Sequence, residues 1–163
     1  MKKRYYILLI FIMPVLLYSC SAPYSISTNV QLKYDWILTS TIVEGDLAGT
    51  DIPTKVFEDV ALPCYTGSKW NFSEGGAGSY TINSSDTASC IKGTRKINWE
   101  VVTLKKSHYL QFFRYLAPKE VPTDRFTLYI AEITQLTKKQ MILKYSIKYH
   151  DKVGDILFTF DVK

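Results

Sequence analysis

The sequence predicts an all-β fold, an eight-stranded antiparallel up-and-down barrel, and three observations carry that prediction. From Lys33 onward apolar and polar residues alternate with period two, the repeat of a strand with one face buried. The alternating runs are rich in Val, Ile, Thr and aromatic residues, and clusters of Gly, Pro, Asn, Asp and Lys punctuate them. The 163-residue chain holds 12 Tyr, 8 Phe and 3 Trp, enough large side chains either to fill one core or to line one ligand cavity.

The strands follow in order. Residues 34–43 set Trp36, Leu38 and Ile42 against Thr39 and Thr41. Residues 68–73 put Trp70 and Phe72 on one face, and 78–84 do the same with Tyr80 and Ile82. Glu74-Gly75-Gly76-Ala77 joins these two as a hairpin, because glycine enters the positive-φ region at no steric cost. Strand 95–103 alternates Ile97, Trp99 and Val101, strand 107–116 carries Leu110 and Phe112, and Lys105-Lys106 turns between them. Strands 125–135, 139–149 and 154–162 complete the set. The last places Ile156, Phe158, Phe160 and Val162 opposite Leu157, Thr159 and Asp161.

The stretch 46–63 does not alternate cleanly. Val56, Asp59 and Val60 are spaced for one face of a short helical segment near 54–62, with Pro63 ending it. Eight sequential strands with mostly short connections close most simply into a barrel, which leaves no sheet edge exposed. Trp36, Trp70, Trp99, Phe112 and Phe158 are expected to face its interior. Trp36, opening the first strand, is expected to plug one end.

Ahead of the barrel, Lys2, Lys3 and Arg4 precede an uncharged, mostly apolar run over 5–18, closed by Ser19-Cys20. The run falls short of the ~20 residues a spanning helix needs and reads as a signal peptide, 1–19. Leu17-Tyr18-Ser19-Cys20 resembles a bacterial lipobox, with Leu three places before the cysteine and a small residue directly before it. That resemblance implies cleavage before Cys20 and lipidation of its thiol by acyl chains such as palmitate. At ~0.8 kcal/mol per buried CH₂, two or more chains hold a protein firmly to a membrane. Residues 20–32, uncharged and rich in Ser, Thr and Asn, read as a lipidated tether, and 33–163 as the barrel domain.

The formal charge of +5 is in part the export signal. Without Lys2, Lys3 and Arg4 it falls to +2, too little to argue for nucleic-acid binding. With Cys20 assigned to lipid, two of the 3 cysteines remain, Cys64 and Cys90. In an oxidising compartment an even pair reads as a disulfide, worth ~3.5 kcal/mol on the chain-entropy model. A metal pair or a redox couple are the alternatives. There is no Cys-x-x-Cys to support either, and His108 and His150 are far apart in sequence.

Several blocks together resemble the lipocalin-like lipoproteins common in Bacteroidota. They are the lipobox cysteine, Leu32-Lys33-Tyr34-Asp35-Trp36-Ile37-Leu38-Thr39, and Cys64-Tyr65-Thr66-Gly67-Ser68-Lys69-Trp70-Asn71-Phe72 with the second cysteine, Cys90. Ile97-Asn98-Trp99, Ile133-Thr134-Gln135-Leu136-Thr137 and Met141-Ile142-Leu143 extend the likeness over essentially the whole chain. The sequence departs from the animal-type signature in having Tyr34, not glycine, two places before Trp36. Thr123-Asp124-Arg125 echoes a second lipocalin motif over three residues only. The resemblance implies a lipocalin or calycin-like barrel on an exported lipid anchor, with no established activity and no cofactor. Ser21 behind the cysteine, and a tether without an acidic run, imply by the same likeness the outer membrane and its periplasmic side.

No enzyme is expected, since no catalytic constellation stands out. The chain lacks Gly-x-Ser-x-Gly and His-Glu-x-x-His, and its glycine-rich stretch lies between strands rather than before a helix. His150, Asp151 and Asp155 read as solvated turn residues rather than metal ligands. Lys138, Lys139, Lys144, Lys148 and Lys152 line one hairpin as a solvated, mildly basic face. Two functions are then expected. One is an open cup holding a small apolar or amphipathic molecule against Trp36, Trp99, Phe112 and Phe158. The alternative is a packed barrel serving as a structural or interaction module of the envelope. The interior decides between them.

Overall fold

The computed structural model describes Leu32 and residues 34–50, 55–84, 90–115 and 127–163. The expected signal peptide, Cys20, nearly all of the expected tether and Thr123-Asp124-Arg125 lie outside the described residues.

The strands are β1 Asp35–Gly45, β2 Lys55–Val56, β3 Val60–Ala61, β4 Lys69–Phe72, β5 Ala77–Ile82, β6 Gly93–Leu104, β7 Ser107–Arg114, β8 Tyr129–Leu136, β9 Gln140–Tyr149 and β10 Lys152–Val162. Eight of them, β1 and β4 to β10, close into an antiparallel barrel in the order β1-β10-β9-β8-β7-β6-β5-β4. Each strand pairs with its sequence neighbour, and β1 closes the ring between β10 and β4. All eight therefore satisfy their backbone groups on both sides without a free edge.

Alternation decides which face is inside. Trp36 and Leu38 of β1, Trp70 and Phe72 of β4, and Tyr80 and Ile82 of β5 are buried. So are Leu110 and Phe112 of β7, Met141 and Leu143 of β9, and Ile156, Phe158 and Phe160 of β10. Two bulges re-phase this pattern, at Thr39 between Leu38 and Ser40 and at Thr134 between Ile133 and Gln135. In each the threonine hydroxyl donates to a carbonyl of the facing strand, Thr39 to Thr159 and Thr134 to Ile142.

The β4–β5 link is the glycine turn expected from sequence, with Gly75 and Gly76 at φ +79° and +83°. Inside β5, Gly78 makes room for an indole: a Cβ there would lie 3.0 Å from Trp99 Cδ1 and 2.7 Å from the Asn71 carbonyl oxygen. Trp99 accordingly lies against this edge, edge-on to Phe72 at 5.2 Å, and donates from Nε1 to the Ala77 carbonyl at 2.8 Å. It lies on the inward parity of β6, opposite the buried Phe112, and packs against the core, though half-buried where the other two tryptophans are enclosed.

The short helix near 54–62 is also corrected. Val56 pairs with Val60 and Lys55 with Ala61, forming the β2–β3 hairpin, and a 3-10 turn follows at Leu62–Tyr65. The disulfide is present: Cys64 in that turn is bonded to Cys90 ahead of β6, with Cα atoms 5.3 Å apart across a sequence separation of 26.

Candidate functional site

The long connection between β1 and β4 leaves the barrel at Gly45 and returns into it. Asp59 donates its backbone N–H to the Val56 carbonyl at 3.1 Å, closing a tight turn whose central residues are Phe57 (φ 51°) and Glu58 (φ 53°). Positive φ at both positions is the type I′ arrangement that glycine and asparagine normally fill. Two ordinary side chains held there cost roughly 1–3 kcal/mol each, so the surroundings must over-determine the turn.

They do so through Phe57. Its ring enters the barrel, with centroids 5.0 Å from Phe112 of β7, 5.2 Å from Tyr129 of β8 and 5.1 Å from Tyr145 of β9. Phe158 of β10 lies at 5.5 Å, Tyr65 at 5.6 Å and Trp70 of β4 at 6.3 Å. Strands from most of the ring thus converge on one side chain of a connecting loop. Tyr65 braces the hairpin, donating its hydroxyl hydrogen to the Val56 carbonyl at 2.8 Å. Trp70 stacks on Tyr80 at 4.5 Å and donates from Nε1 to the buried Ser68 hydroxyl at 2.9 Å.

Beside this aromatic cluster sits a charged one. Asp59, whose side chain is 7% exposed, accepts from Arg95 Nε at 2.8 Å on Oδ2 and from Arg95 Nη2 at 3.2 Å on Oδ1. Arg114 Nη1 lies 3.5 Å from Oδ1, and the Tyr80 hydroxyl donates to Oδ2 at 2.8 Å. The side chains of Arg95 and Arg114 are 10% and 13% exposed. Their remaining donors reach backbone: Arg95 bonds the Gly93 and Ile91 carbonyls, and Arg114 Nη2 bonds the Glu58 carbonyl at 3.0 Å. Arg114 Nε is buried with no partner among the described residues. Burial, then the neighbouring Tyr65 and the Asp59 charge, push the Tyr80 hydroxyl far above its ordinary pKa. Burial and Asp59 raise Tyr65 likewise. Tyr129 is pushed up to about 12, mainly by burial and then by Glu58. All are neutral hydrogen-bonding groups at physiological pH.

The arrangement can bind an anion. Two guanidiniums and a phenol converge on one carboxylate beside a well of rings, the geometry that charge-assisted, bidentate recognition uses. Asp59, Arg95, Arg114 and Phe57 are absent from the sequence-derived set. A signal existed for the arginines: each stands two residues from an inward-facing apolar side chain, Ile97 or Phe112, on the parity that points inside. For Phe57 and Asp59 there was none, because the helical reading hid the turn.

The residues singled out by sequence divide as follows. Trp36, Trp70, Phe112 and Phe158 are buried in the barrel, and Trp99 is half-buried and packed against the same core. Trp36 is fully enclosed beside Trp70 in the β1–β4 ladder and edge-on to Tyr34 at 5.9 Å, and its Nε1 has no partner among the described residues. Within the lysine face, Lys144 pairs with Glu132 at 2.9 Å, each moving the other's pKa toward the charged form. Among the described residues no group of three His, Cys, Asp or Glu side chains could hold a metal, and no helix is long and apolar enough to cross a membrane.

Compared with known proteins, the chain matches no family model, no curated protein and no solved structure. The fold therefore defines a class and nothing narrower: a closed eight-stranded antiparallel barrel with a disulfide-tied loop turned inward.

Proposed function

We propose that the protein is a lipid-anchored lipoprotein of the cell envelope, on the periplasmic side of the outer membrane, whose resting barrel is packed on its own hairpin and acts as a structural or interaction module. The anchor rests on Lys2, Lys3 and Arg4, the apolar run behind them and Leu17-Tyr18-Ser19-Cys20. Ser21 and the likeness to lipocalin-like lipoproteins favour the stated side. The packed interior rests on one observation: the Phe57 ring stands among Phe112, Tyr129, Tyr145 and Phe158, where a permanently held ligand would need its space. That favours a module over a constitutively loaded cup. No catalytic step and no cofactor enter the proposal.

Two measurements test it. Cys20→Ala is expected to abolish incorporation of labelled palmitate and to release the chain from the membrane fraction; continued labelling overturns the anchor. Native mass spectrometry of the protein extracted from its own membrane is expected to give the mass of the lipidated chain alone. A small molecule retained at one per chain overturns the packed resting state.

A further inference from the structure

We propose that the mouth of the barrel is a binding site for a small amphipathic carboxylate, and that the β2–β3 hairpin occupies this site as a built-in surrogate of that ligand. The surrogate has two parts, two residues apart. The Phe57 ring supplies an apolar body inserted among barrel rings, and the Asp59 carboxylate supplies an anionic head held by Arg95, Arg114 and Tyr80. The cationic and phenolic groups come from barrel strands β6, β7 and β5, and the anion comes from the loop. Without the hairpin, the barrel would present two guanidiniums and a hydroxyl at the edge of an aromatic well.

Three features say that the hairpin is a tenant rather than part of the wall. Strands β2 and β3 pair only with each other and share no ladder with the barrel. A two-stranded ribbon of this length has little stability of its own. Its turn is built on two non-glycine residues at positive φ, a conformation sustained by the side-chain contacts just described. Among the described residues the charge is also unbalanced, with one carboxylate paired to two arginines and Arg114 Nε without a partner. A free carboxylate carrying an aryl or alkyl tail satisfies the same donors and fills the same well, so it competes with the hairpin. The resting protein is then self-closed, and ligand entry requires the hairpin to leave. Glu58 leaves with it, since the carboxylate of that residue bonds Thr127 and its carbonyl bonds Arg114.

The test uses the full chain, lipid anchor included, in nanodiscs. Phenylbutyrate is the probe, and acetate and phenylbutanol are its headgroup-only and tail-only counterparts. Asp59→Asn keeps the shape of the surrogate and removes its charge. Phenylbutyrate is expected to raise the Tm of this variant and to bind it about tenfold or more tightly than the wild type, where the plug competes. Acetate and phenylbutanol are expected to do neither, and adding Arg114→Gln is expected to abolish the effect. Absence of binding to folded Asp59→Asn overturns the proposal, as does an equal effect of acetate or of phenylbutanol. Should Asp59→Asn fail to fold, amide exchange over 56–60 of the wild type decides. Faster exchange under saturating phenylbutyrate supports displacement, and unchanged exchange overturns it. A rigid plug would sink this inference and leave the packed resting state standing.

Discussion

The Asp59 carboxylate and the Arg95 guanidinium meet at 2.8 Å inside the barrel mouth, one carried by a loop hairpin and the other by strand β6. The contact fixes the loop to the wall and, with Arg114 and Tyr80, neutralises charge that burial would otherwise make costly. Removing one partner and removing all of them should therefore differ sharply. Asp59→Leu is expected to lose about 3–5 kcal/mol of stability, because it leaves two arginines buried without a counter-ion. Replacing Asp59, Arg95 and Arg114 together by Leu, Met and Met is expected to recover most of that loss. Urea unfolding of both variants checks the pair of values; equal losses would mean the ion cluster is not what holds the loop.

Trp36 is fully buried beside Trp70, with an indole nitrogen that bonds nothing among the described residues. Trp36→Ala is expected to cost ~3–5 kcal/mol through the cavity it leaves. Trp36→Phe is expected to cost much less, since it also deletes a buried N–H that finds no acceptor among the described residues. Urea midpoints at unchanged slope measure both.

The Cys64–Cys90 bridge ties the turn that contains Tyr65 to the chain entering β6. Replacing both cysteines by serine is expected to lower stability by about 3–4 kcal/mol, the loop-closure value for this separation. The hairpin should loosen before the barrel does, because Tyr65 holds it through the Val56 carbonyl. Amide exchange that quickens over 55–61 well before the strands is the expected record, and uniform quickening would contradict it.

Alkaline pH should open the core. Burial raises the pKa of Tyr65, Tyr80, Tyr129 and Tyr145, so these phenols stay neutral in the folded barrel after they would ionise in the unfolded chain. Their stabilisation is complete below the unfolded value of 10.0; the share of Tyr129 is lost as pH rises to about 12, and the others are lost as pH rises through their own raised values. Tm is expected to hold up to that lower limit and to fall steeply above it. Phenolate absorbance should lag behind that of the unfolded chain over the same window.

What the sequence determined by itself was the barrel. Alternation around Trp36, Trp70, Tyr80, Phe112 and Phe158 assigns each strand its buried face, because the period of a strand is two and a one-residue error would turn every aromatic to water. The glycines at 75 and 76 located a turn, and the cysteines at 64 and 90 gave the bridge. Only the tertiary structure decided what fills the barrel. Val56 and Val60 stand four apart, which is one face of a helix and equally the facing pair of a tight hairpin, so spacing could not separate the two. Nor could local sequence place Asp59 against Arg95 and Arg114, residues brought together by ring closure rather than by chain proximity. A charged residue on an inward parity marks a buried ion; which partner neutralises it is a property of the closed barrel, because that is where both are withdrawn from water.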